Sequence, residues 1–151
     1  MRNTIIIALI SLVVISCGKD KFTTKPQLTF KKVNNDVFGT GQIMEFTLGF
    51  TDSEGDFPGK VYIQRVTPGC AADTSFKVIY DMPEFPTSSN FEGDLKIIYN
   101  LGSNDGQTPI MLLPPEECGD TSSCYLRFAI EDKAGNKSDT INSSTIILIN
   151  N

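Results

Sequence analysis

No histidine and no tryptophan occur among the 151 residues of this chain. Without imidazole there is no Ser-His-Asp or Cys-His nucleophile, no HExxH zinc site and no histidine acid–base pair. Without indole the chain lacks the flat platform that glycan-binding modules commonly present, and Tyr62, Tyr80, Tyr99 and Tyr125 fall in four separate segments. Basic residues are outnumbered as well: 13 Lys and Arg stand against 18 Asp and Glu, a formal net charge of −5. Phosphate binding rests on clustered Lys and Arg, so nucleic acid is not an expected partner.

A long hydrophobic run is also missing. The apolar stretch Ile5 to Ile15, broken only by Ser11, is about half the roughly 20 residues that a bilayer-spanning helix needs. With Arg2 before it and small residues after it, the stretch reads as a cleaved export signal. The run ends Val14-Ile15-Ser16-Cys17-Gly18, which resembles the lipobox of bacterial lipoproteins. That resemblance implies removal of residues 1–16, a diacylglyceryl thioether on Cys17, and acylation of the new amino terminus with palmitate-type chains. One acyl chain binds a membrane only marginally at about 0.8 kcal/mol per buried methylene, whereas two or three hold firmly. Loss of Arg2 with the signal takes the net charge from −5 to −6. Residues 17–27, polar and without apolar period, are expected to form a lipidated tether, and residues 28–151 a single domain.

With Cys17 assigned to lipid, Cys70, Cys118 and Cys124 remain in a compartment where disulfides form. Three thiols in irregular spacing with no histidine do not make a structural zinc site. One disulfide and one thiol are expected. The favoured pair is Cys118 with Cys124, closing the short loop CGDTSSC; Cys70 with either of them is the alternative.

From residue 28 onward the hydrophobic period is two. Met44, Phe46, Leu48 and Phe50 alternate with Glu45, Thr47, Gly49 and Thr51, and Leu126, Phe128 and Ile130 alternate in the same way. Weaker runs at 28–38, 60–66, 76–82, 95–100 and 140–149 complete about seven strands, separated by Gly, Pro and Asn turns. No stretch supports a long amphipathic helix. The expected fold is therefore all-β, an antiparallel β-sandwich. The run LRFAIEDKAGNKSDTINSSTIIL resembles the last two strands of bacterial immunoglobulin-like, fibronectin-III-like and cadherin-like modules, and FTLGFTDSEGDFPG resembles a strand and turn of Bacteroidota lipoproteins. These resemblances imply an immunoglobulin-like sandwich anchored to the outer membrane, on its cell-surface or periplasmic face.

Two features could carry function. Asp52, Glu54 and Asp56 put three carboxylates in one turn, oxygen ligands of the kind calcium prefers. In an immunoglobulin-like sandwich that turn lies at the same end as the Glu131–Asp139 turn, so Asp52, Glu54, Asp56 and Asp132 form the candidate calcium set. The long connection 101–121 contains Ile110 to Leu113, read as a short extra edge strand, with an exposed protein-binding patch as the other reading. A hydrolase would need two carboxylates facing across a cleft, which a sandwich of this length offers little to build. The expected function is a lipid-anchored, non-enzymatic binding or accessory subunit of an envelope assembly, held to the membrane by its lipid and to an outer-membrane protein partner. The alternatives are a stand-alone module for glycan or calcium and, last, a hydrolase.

Overall fold

The computed structural model describes residues 23–57, 59–70, 76–102, 111–114 and 119–150. The expected signal segment 1–16, Cys17 and Cys118 lie outside the described residues. Ten strands follow in order: β1 (Gln27–Val33), β2 (Val37–Gly39), β3 (Ile43–Asp52), β4 (Lys60–Val66), β5 (Lys77–Asp81), β6 (Phe91–Leu101), β7 (Met111–Leu113), β8 (Thr121–Glu131), β9 (Ile141–Asn142) and β10 (Ile146–Ile149). Among the described residues there is no helix, hence none long and apolar enough to cross a membrane.

Alternation along the strands creates two sheets that share one core. One sheet runs β1-β3-β6-β7; the other runs β2-β10-β8-β4-β5, with β9 also paired to β8. Met44, Phe46 and Leu48 of β3 turn inward from the first sheet, and Leu126, Phe128 and Ile130 of β8 from the second, all fully buried. Phe46 and Phe128 meet between the layers with ring centroids 5.6 Å apart. Each such side chain contributes about 1.5–3 kcal/mol of transfer free energy. The expected all-β sandwich is what the chain forms.

Two expected strands divide. The 28–38 run breaks at Asn34-Asn35-Asp36, where the Asn35 side chain accepts the Asp36 N–H at 2.8 Å. Beyond that turn the chain crosses to the other sheet, so β2 pairs in parallel with β10 while β1 pairs antiparallel with β3. The 140–149 run breaks at Ser143, whose hydroxyl and N–H both bond the Leu126 backbone, separating β9 from β10. In the long connection, Met111–Leu113 forms a strand parallel to the end of β6; it is the short edge strand read from its sequence.

The ends of the sandwich differ. At one end the turn after β3 meets the turn after β8: the Lys133 N–H reaches the Asp56 carbonyl at 3.4 Å. Gly59 makes this approach feasible, because a Cβ there would lie 2.2 Å from the Glu131 carbonyl oxygen. β1 begins at this end, with Gln27 opposite Thr51. Residues 23–26 of the expected tether lie against the domain, where Pro26 is buried and the Lys25 ammonium pairs with Asp139 at 2.6 Å. At the other end Val66 of β4 lies opposite Tyr125 of β8, and Cys70 follows. Arg65 turns inward near this end in step with Val61 and Ile63. Its guanidinium donates to the Pro114 carbonyl at 2.5 Å and stands 5.7 Å from the Phe76 ring centroid.

Candidate functional site

The acidic turns converge, but their carboxylates do not assemble around a cation. Asp52 is fully buried and spends both oxygens on its own turn, accepting the Phe57 N–H at 3.1 Å and the Glu54 N–H at 3.4 Å. Asp132 is buried too and accepts the Asn136 backbone N–H at 2.7 Å and its side-chain amide at 2.9 Å. Glu54 points to solvent, and Asp56 keeps one buried oxygen with no hydrogen-bond partner among the described residues. Among the described residues no group of three or more acidic or thiol side chains is placed to hold a metal ion. The calcium set Asp52, Glu54, Asp56 and Asp132 is therefore corrected: its two buried carboxylates act as turn caps, which satisfy backbone donors.

The expected disulfide is corrected as well. Cys70 is disulfide-bonded, to a cysteine outside the described residues, whereas Cys124 is a fully buried thiol. The loop-closing pair Cys118–Cys124 is thus not formed. The physical reason is the pleat: Cys124 falls in register with Leu126, Phe128 and Ile130 and points with them into the core.

Among the described residues, each sheet of the sandwich carries a concave surface on its outside. Over β1, β3 and β6, Gly49 leaves a trough of about 520 Å³ walled by Thr29, Thr51, Glu92 and Asp94. Lys31 crosses it and ion-pairs with Asp94, so the trough is internally compensated. The second surface is the outer face of β5, β4 and β8. Its rungs read Lys77–Gln64–Arg127, then Ile79–Tyr62–Ala129, then Asp81–Lys60–Glu131. A hollow of about 270 Å³ sits among Tyr62, Ile79, Arg127 and Lys137.

Polar and cation–ring contacts tie the side chains of this second face together. The Tyr62 hydroxyl donates to Glu131 at 2.6 Å, while the Lys137 ammonium lies 3.3 Å from the centre of its ring. The hydrogen bond to Glu131 first, then burial and the Glu131 charge, raise the Tyr62 pKa above its ordinary value. Arg127 lies 5.8 Å from the Tyr125 ring centroid and donates to its hydroxyl at 3.3 Å. Ile79 is 60% exposed beside them. Tyr62 and Tyr125, far apart in sequence, share this face; the signal was their common outward phase in β4 and β8. Lys60, Lys77, Arg127 and Lys137 concentrate positive charge here on an otherwise acidic protein.

No family model matches the chain, and no curated protein is significantly similar to it. Among solved structures, the sporulation control protein Spo0M of Bacillus subtilis aligns with 84% of this chain at 10% identity and a TM-score of 0.44. The alignment spans 50% of that protein's length. A likeness of this degree carries no functional argument.

Proposed function

We propose that the chain is a lipid-anchored, immunoglobulin-like binding subunit of an outer-membrane protein assembly, non-enzymatic, displayed on the cell-surface or periplasmic face. The lipobox-like Val14-Ile15-Ser16-Cys17 supports the anchor. For the immunoglobulin-like reading, the sheet orders support it: β1-β3-β6 follows strands A-B-E, and β5-β4-β8-β10 follows C′-C-F-G. The observation that carries the binding role is the outer face of β5, β4 and β8. There an aromatic residue is clamped between a cation and a carboxylate, with an exposed isoleucine and surplus positive charge around it. Locked aromatic and arginine side chains on a firm sheet are the usual anchors of protein recognition. The partner this face fits presents apolar and acidic groups together.

The test is recovery of the full chain from chemically cross-linked membranes, comparing wild type, Arg127→Glu and, on the opposite sheet, Thr51→Glu. A stoichiometric partner is expected with wild type and Thr51→Glu and is lost with Arg127→Glu. A wild-type chain recovered alone overturns the subunit reading. The anchor is tested separately: Cys17→Ala leaves the chain unprocessed or releases it from the membrane, and a correctly cleaved, still membrane-bound Cys17→Ala protein refutes lipidation.

A further inference from the structure

The free edge of β5 is self-complementary, and from its geometry we infer that two copies of this chain join there, edge to edge, into one continuous antiparallel sheet. β5 is the terminal strand of its sheet, and among the described residues nothing pairs with its outer side. The Arg65 N–H bonds the Phe76 carbonyl, and the Met82 N–H bonds the Gly59 carbonyl. Antiparallel ladders bond at every second residue. Phe76, Val78, Tyr80 and Met82 therefore spend their backbone groups on β4, and the N–H and C=O groups of Lys77, Ile79 and Asp81 point away from the sheet.

The side chains of those three residues share the outer face and are all exposed, whereas Val78 and Tyr80 pack against the core. A two-fold axis through Ile79 sets Ile79 against Ile79 of the second copy and Lys77 against its Asp81, twice over. Every outward N–H from 77 to 81 then meets an outward carbonyl, six hydrogen bonds in all. Both charges find opposite partners, and the most exposed large apolar side chain among the described residues is covered. A slip of two residues along the strand loses both charge matches. Edge strands are ordinarily guarded by charged residues that oppose pairing. Here the two guards have opposite signs and sit symmetrically about Ile79, so they favour pairing of the strand with itself. Among the described residues, neither Lys77 nor Asp81 is in an ion pair within its own chain.

This inference shares Ile79 and Lys77 with the proposed partner face, but it uses the backbone edge of the sheet and a second identical chain and does not depend on the anchor or on another protein. Five residues a side make a small interface, so the association is weak in dilute solution and is best read by trapping. In the full chain, Ile79→Cys places two thiols at a hydrogen-bonded antiparallel pair, where Cα atoms are about 5.5 Å apart and within disulfide reach. Mild oxidation of this variant is expected to give a covalent species of twice the mass of the single chain in the same preparation. Wild type controls for the native cysteines, and Gln64→Cys, one strand inward, is expected to remain monomeric.

In the Ile79→Cys background, Lys77→Glu or Asp81→Lys alone lowers the trapping rate about tenfold by opposing like charges across the ladder. The double variant restores it. Rescue separates edge pairing from damage to the fold, and unchanged melting curves for these exposed positions check the same point. Three results overturn the inference: no dimer above the Gln64→Cys background, equal trapping by both single charge reversals and the parent, or a disulfide product of another mass, which would show that a different chain occupies the edge.

Discussion

Tyr99 carries its ring into the core, where Phe76 meets it edge-on with centroids 5.9 Å apart, and its buried hydroxyl, with Tyr80 as its polar neighbour, has no partner at hydrogen-bonding geometry among the described residues. Burial first, and the neighbouring Tyr80 second, raise its pKa well above the ordinary value. The folded protein therefore holds this proton to higher pH than the unfolded chain does. The stability linked to it is whole below about pH 10 and declines as pH climbs from there towards the folded value. Tyr99→Phe removes the stranded hydroxyl while keeping the ring. Urea denaturation at pH 7 should show it about 1 kcal/mol more stable than wild type, with a flatter loss of stability above pH 10. A marked destabilisation would mean that the hydroxyl is satisfied after all.

Pairing of β4 with β8 depends on how closely their connecting turns approach. Gly59 lies against the Glu131 and Asp132 backbone, at positions where a Cβ would meet atoms 2.2 to 2.9 Å away. Backbone cannot yield as a flexible side chain can, so Gly59→Ala is expected to destabilise the fold by about 1–3 kcal/mol. Gly39→Ala, with nothing within 4 Å, should stay within about 0.5 kcal/mol. Thermal melts of the pair check both. Much of this element-level structure was legible in the sequence, because a period of two records which face is buried. β3 and β8 appear where alternation put them, and Cys124 could have been placed in the core by counting back from Leu126. Arg65 breaks the apolar pattern at an inward position, so its burial could not be read from hydropathy. The meeting of the acidic turns followed from strand order alone. What their carboxylates do did not, since bonds from Asp52 and Asp132 to nearby N–H groups are set by local turn conformation.

Across the whole molecule the two ends differ in chemistry. The acidic turns and the start of β1 share one end, and the Cys70 disulfide lies at the other. If Cys17 is lipidated as proposed, Cys118 is the partner that the cysteine count leaves for Cys70. Mass mapping of the non-reduced protein should find Cys70 linked to Cys118, and reduction should cost about 3–4 kcal/mol through the loop it closes. A link from Cys70 to Cys17 would overturn the lipid assignment as well. The Lys25–Asp139 contact fixes where the chain leaves the domain, at the acidic end, and this matters most for the edge-to-edge pair. A two-fold axis through Ile79 turns one copy end for end, so the joined sheet carries one leash at each extremity. Residues 17–22 reach at most about 20 Å when fully extended, less than the roughly 36 Å spanned by the 11 residues of β6. If both copies are paired and lipidated as proposed, their lipids can enter one bilayer only when the strands lie along its surface like a raft. A pair standing upright would instead set its lipids in two opposed membranes and clasp them together.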